Sequence, residues 1–282
     1  MTAEITATRL TRDAILLTGK VAIVTGGGAG IGRGIAIGLA EFGADVAIID
    51  RDEEAAKTVA ALIAEKGRRV LTINLDVRDR EGDRAAVQQV ISELGTPQIL
   101  VNNVGGTRQL PLLQMTDAQM DKQVDLNLNS LFAMTQAAAA AMVAAGLPGS
   151  IINVASIEAL RAAPGYSVYA ACKAGMVNFT RTTALELSEY GIRVNAIAPD
   201  FVPTELMARF MPDLGGEQAR ANQRRYIPLG RAGNFDDCAG AAVFLASDMA
   251  AYVTGTTLSV DGGTYASSGW TRSAQEGRWT LY

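Results

Sequence analysis

Seven short apolar runs punctuate the chain: KVAIVT (20–25), DVAIID (45–50), RVLTINL (69–75), QILVNN (98–103), SIINVAS (150–156), IRVNAIAP (192–199) and TTLSVDGG (256–263). Within them apolar residues follow one another without alternation, the pattern of strands covered on both faces. Between them lie 30–43, 53–66, 79–94, 117–145 and 167–190, rich in alanine, leucine, glutamate and arginine and long enough for crossover helices. This alternation predicts an α/β fold: a Rossmann-like, doubly wound, seven-stranded parallel sheet with helices on both faces and ligands at the carboxyl ends of its strands. No linker interrupts the pattern, so residues 1–282 are expected to form one domain, with a core over about 17–263 and an N-terminal extension at 1–16. Residues 199–230 break the alternation with four prolines and adjacent glycines, as a substrate lid with one or two short helices would. The tail, 264–282, holds both tryptophans, Trp270 and Trp279, and is expected to pack on something, such as a neighbouring subunit.

Composition narrows the chemistry. A 49% hydrophobic content is ample for a core, and a net charge of −4 gives no general attraction to nucleic acid or anionic membranes. Two cysteines, Cys172 and Cys238, are too few for a disulfide framework, and the N-terminal residues lack a signal-like apolar run, so a cytoplasmic protein is expected. The sequence contains no histidine. That removes the Ser-His-Asp triad, histidine acid/base catalysis and imidazole-dependent zinc sites; no metal is expected.

TGGGAGIG, Thr25 to Gly32, follows the first apolar run and opens a helical stretch. Gly26 suits a tight turn, Gly30 close approach of backbone to a pyrophosphate, and Gly32 close helix–strand packing, with helix N–H groups facing the phosphates. The second run ends in Asp50, placed to accept hydrogen bonds from ribose hydroxyls and to repel a 2′-phosphate; Arg51, which follows, could clamp one. The balance predicts NAD. In PGYSVYAACKAG (164–175), Tyr169 and Lys173 stand four apart on one helix face, whereas Tyr166 would meet Ala170. The ammonium is expected to favour the phenolate, making Tyr169 an acid/base near neutral pH.

TGGGAGIG, NNVG (102–105), Asn127, Ser156, YAACK (169–173) and VTGTTLSVDGG together resemble the short-chain dehydrogenase/reductase family, from about Leu17 to Gly263. The resemblance implies Tyr169 as acid/base and Ser156 orienting the substrate oxygen. Lys173 would hold the nicotinamide ribose, and Asn127 would bind a water linking Lys173 to solvent. For the cofactor it implies Gly26, Gly28, Gly30, Ile31, Gly32, Asp50, Arg51, Asp76, Val77, Asn103, Gly105, Pro199, Val202 and Thr204, with Tyr169 and Lys173. Alternatives remain at several positions: Ser156 as a cap, Asn127 facing solvent, and Asp76 and Asn103 as turn residues. Pro199-Asp200 stands where the family has Pro-Gly, which leaves the path of the lid open.

The activity implied is NAD-dependent hydride transfer between nicotinamide and a secondary alcohol or ketone. The alternatives are reduction of a 3-oxoacyl thioester and a non-catalytic dinucleotide-binding regulator; a hydrolase would leave Ser156 without an activating histidine. Arg108 and Arg161 read as solvated surface charges more readily than as anion anchors. The resemblance and the alanine-rich 131–146 helix point to a homotetramer.

Overall fold

A computed structural model describes residues 10–205, 207, 216–273 and 277–281. Seven strands, β1 (Val21–Thr25), β2 (Asp45–Asp50), β3 (Val70–Asn74), β4 (Ile99–Asn102), β5 (Gly149–Val154), β6 (Ile192–Pro199) and β7 (Thr257–Val260), form a parallel sheet in the order β3-β2-β1-β4-β5-β6-β7. Each expected strand is present. The order reverses between β1 and β4, opening the crevice in which such sheets take ligands.

Successive side chains of a strand point to opposite faces. Ala22 and Val24 accordingly enter one core with α1 (Gly30–Glu41) and α2 (Glu53–Ala64), and Val21 and Ile23 the other with α3 (Arg80–Glu93). Both faces being covered is why the runs are continuously apolar. Further along come α4 (Asp117–Val124), α5 (Ser130–Ala144), α6 (Ser167–Glu186), α7 (Glu217–Tyr226) and α8 (Phe235–Ala246).

Helix α8 is absent from the stretches read as helical in the sequence. It opens on a reciprocal cap, Asp237 N donating to Asn234 Oδ1 at 2.9 Å and Asn234 N to Asp237 Oδ2 at 2.8 Å. It packs on α1 so closely that a Cβ at Gly34 would lie 2.4 Å from Phe235 Cβ. The expected single helix over 117–145 is interrupted at Asp125–Asn129 by one π-helical turn, a feature common at functional sites. The lid contains α7, while 206 and 208–215 lie outside the described residues. The tail forms a short helix, Thr264–Ser267, and a hairpin of β8 (Thr271–Arg272) with β9 (Trp279–Thr280); residues 1–9 of the extension also lie outside the described residues. Among the described residues no helix is long and apolar enough to cross a membrane, and no cluster of carboxylate or thiol groups could hold a metal ion.

Candidate active site

The glycine loop joins β1 to α1 at the crevice. Gly26 and Gly30 take left-handed φ of 65° and 55°, and a Cβ at Gly32 would stand 2.1 Å from Gly26 O, so the tight turn at Gly26 and the close packing at Gly32 are present. Asp50 closes β2 against this loop: its Oδ2 accepts from Gly28 N at 2.8 Å and its Oδ1 from Asp52 N at 3.0 Å. A carboxylate offers about four acceptor positions. Two are therefore left for ribose hydroxyls, and the residues fit a dinucleotide. Ile31 is partly buried beside the loop.

Asn103 braces the loop from the neighbouring strand. Its side-chain amide donates to Thr25 O at 3.0 Å and Gly26 O at 3.2 Å, tying the end of β4 to the loop. Asp76, past β3, is paired with Arg78, whose Nε lies 2.9 Å from Oδ1; those hydrogen bonds to Arg78, chiefly, hold the carboxyl down at about 2. Arg51 contributes to the positive charge acting on Asp76, and Val77 is buried.

Four elements converge on the proton-handling residues. Ser156 follows β5 and opens a 3₁₀ turn, accepting from Glu158 N at 3.2 Å, so the capping role weighed from sequence is present. Its hydroxyl also favours the ionised form of the Tyr169 phenol on the first turns of α6. That influence distinguishes Tyr169 from Tyr166, which stands at the start of the helix.

Lys173 is 2% exposed, and its Nζ donates to Val154 O at 2.8 Å. Burial pushes its ammonium down to about 8. The nitrogen stands 5.8 Å from the Tyr169 ring centroid. The expectation that Lys173 favours the phenolate is not met here: burial, above all, raises the phenol above its ordinary value. The Ser156 hydroxyl opposes this, while Glu158 and Tyr166 add to it. An i,i+4 spacing brings the two side chains to one face, but the ammonium turns toward a strand carbonyl.

Asn127 sits in the π-helical turn, fully buried rather than facing solvent. Its Oδ1 accepts from Gly106 N at 2.8 Å, and its Nδ2 donates to Gly106 O at 3.1 Å and Gln123 O at 3.0 Å. Gly105 lies between it and Lys173, where a Cβ would be 2.9 Å from Asn127 Oδ1 and 3.0 Å from Lys173 Nζ.

Beneath the site runs a buried network that sequence reading missed. Asn102 Nδ2 donates to Thr135 Oγ1 and Asn153 Oδ1, and Asn153 Nδ2 to Thr180 Oγ1, each at 2.9 Å. These bonds pin α5 and α6 to the sheet, and the signal was an asparagine inside two otherwise apolar runs.

After β6, Pro199 ends the strand and Asp200 takes no left-handed φ, so glycine's freedom is not needed there. Val202 is buried in the core, and Thr204 Oγ1 accepts from Met207 N at 3.2 Å beside Gly30. Glu205, also missed in the sequence, accepts from Gly30 N at 3.2 Å and pairs with Arg33 at 2.7 Å. Its carboxylate thus lies at the anion-binding start of α1.

The sequence profile of a family described as "Enoyl-(Acyl carrier protein) reductase" matches residues 26–265. The 3-oxoacyl-[acyl-carrier-protein] reductase FabG of Chlamydia muridarum is 41% identical over 249 residues, 88% of this chain and 98% of that protein. The chain belongs to the short-chain dehydrogenase/reductase family. Another relative of this short-chain dehydrogenase/reductase is the L-rhamnose 1-dehydrogenase (NAD(P)(+)) of a Sphingomonas strain, 39% identical over 89% of this chain and 98% of that one. Among solved structures, a 7α-hydroxysteroid dehydrogenase complexed with NADH and 7-oxo glycochenodeoxycholic acid superposes with a TM-score of 0.84 at 34% identity, covering 90% of this chain and 98% of that one.

Proposed function

We propose that the chain is an NAD-dependent oxidoreductase of secondary alcohols and ketones, with Tyr169 carrying the proton. The observation that supports it most is the meeting of Ser156, Tyr169 and Lys173 at the carboxyl end of β5, with Lys173 Nζ donating to Val154 O at 2.8 Å and the Ser156 hydroxyl acting on the Tyr169 phenol, on the crevice that holds the glycine loop. A bound nicotinamide dinucleotide would supply the hydride donor or acceptor. The loop amides and Asp50 would hold its phosphates and ribose. Ser156 would orient the substrate oxygen and steady the charge that develops on it. Tyr169 would take a proton from that oxygen or return it. Lys173, with donors beyond the one given to Val154 O, would hold the second ribose. Asn127 fixes the backbone at 106 and so shapes the wall beside Lys173, the function its hydrogen bonds support.

Asp50 favours NAD over NADP, since a 2′-phosphate would meet a carboxylate already fixed by two backbone amides. The expected result is a kcat/KM ratio of roughly tenfold or more for NAD, followed by nucleotide absorbance over an alcohol and ketone panel. A ratio favouring NADP overturns that choice.

Glu205 must leave Gly30 N before a diphosphate can take it. Glu205→Gln is therefore expected to tighten NADH binding by roughly three- to tenfold, measured by NADH fluorescence. Weaker binding would mean that the carboxylate supports the site instead.

We propose a homotetramer as well, supported by Val143 on α5, Leu185 on α6 and both tryptophans of the tail, all solvent-exposed in the single chain. Sedimentation at micromolar concentration is expected to give the mass of four chains; a mass of 29.6 kDa contradicts it.

A further inference from the structure

A cleft of about 870 Å³ opens between α7, the segment after β6 and the tail from Thr264 to Thr271. Phe201, Tyr226, Ile227 and Trp270 give it apolar walls. It borders the reaction centre through Glu158, which pairs with Arg161 of the lining and whose backbone N–H donates to Ser156 Oγ at 3.2 Å.

Arg161 is exposed, as read from the sequence, and it is paired. Its Nη2 lies 3.0 Å from Asp200 Oδ1 and 3.2 Å from Glu158 Oε1, and its Nε 3.4 Å from Glu158 Oε2. Asp200 Oδ2 accepts from Thr264 Oγ1 at 2.5 Å, and the same hydroxyl lies 3.3 Å from Asp261 Oδ2. Asp261 is itself fixed by Gly263 N at 2.9 Å and Tyr265 N at 2.7 Å. Among the described residues Arg161 is the one cation lining the cleft, and it pairs with two carboxylates, Glu158 and Asp200. Its forked donor is already occupied by both. An incoming carboxylate or phosphate would have to displace them, leaving a negative charge beside each. A neutral molecule meets no such conflict and gains by covering the aromatic walls.

Resting on the oxidoreductase reading above, we infer that the substrate is an electrically neutral secondary alcohol or ketone with a bulky apolar body, and that Asp200 and Glu158 reject anionic analogues. Asp200 thereby sets specificity by charge.

The test uses a matched pair, 1-(4-methoxycarbonylphenyl)ethanol and 1-(4-carboxyphenyl)ethanol, with wild type and Asp200→Asn. The expected result is a kcat/KM for the ester roughly tenfold or more above that for the acid, narrowed severalfold in Asp200→Asn, which keeps the shape but removes a charge. Equal or better use of the acid, or an unaltered ratio in the variant, overturns the inference. Should Asp200→Asn fail to fold, Glu158→Gln is expected to narrow the ratio in the same direction. If neither alcohol turns over, calorimetric titration of the two corresponding ketones decides: preferential binding of the ester sustains the charge selectivity while counting against the oxidoreductase reading, and binding of neither, or of the acid equally, overturns it.

Discussion

Replacing Tyr169 by phenylalanine is expected to lower kcat/KM by roughly 10³-fold while leaving NADH affinity nearly intact. The substitution deletes only the phenolic oxygen. With it go the influence of the Ser156 hydroxyl and the proton that must travel with the hydride; general acid/base groups of this kind contribute roughly 10²–10⁴ in rate. The ring stays, half-buried on α6, and Lys173 keeps its bond to Val154 O. Steady-state kinetics and a fluorescence titration on the same preparation separate the two effects. Turnover within tenfold of wild type would place the proton on another group.

The second large effect concerns stability. Asp83 on α3 is fully buried, and neither carboxyl oxygen has a hydrogen-bond partner among the described residues. Burial chiefly, with the negative charges of Asp79 and Asp76 adding and Arg84 opposing, pushes its pKa up to about 7. The folded chain then keeps this proton where the unfolded chain, with an ordinary value of 3.8, has lost it. Stability due to this group is full below about pH 4, falls as pH rises, and is lost above about pH 7. The span corresponds to roughly 4 kcal/mol. Asp83→Asn removes the ionisation, so its unfolding free energy should exceed that of wild type at pH 8 by roughly 2–4 kcal/mol and should lack this fall. Denaturant unfolding at pH 5 and pH 8 reads both quantities; parallel pH dependence in the two proteins would show that Asp83 is solvated or paired.

The strands were legible because a sheet covered on both faces requires unbroken apolar runs, and the roles of Gly26 and Gly32 because each answers a backbone or packing constraint that only glycine meets. Helix α8 escaped because its apolar run, AGAAVFLA, is as continuous as a strand's and its cap lies in two short polar residues. The π-helical turn at 125–129 leaves no periodic signature, so nothing local decides against Asn127 facing solvent, although its side chain turns inward to residue 106. Glu205 and the Asn102–Asn153–Thr180 network act on partners far along the chain, beyond any local pattern. The direction of the Tyr169 shift was missed for another reason: spacing reports proximity, while burial and the orientation of the Lys173 ammonium decide which protonation state gains.

Burial works against phenol ionisation, and the Ser156 hydroxyl is the contact that opposes it. The pH dependence of kcat/KM for alcohol oxidation at saturating NAD, compared between wild type and Ser156→Ala, tests this most directly. Activity is expected to rise with pH through an apparent pKa in both proteins, and this pKa to move upward in Ser156→Ala along with the loss of rate. Superimposable profiles differing only in height would show that the serine does not act on the phenol, and would contradict the role assigned to the pair.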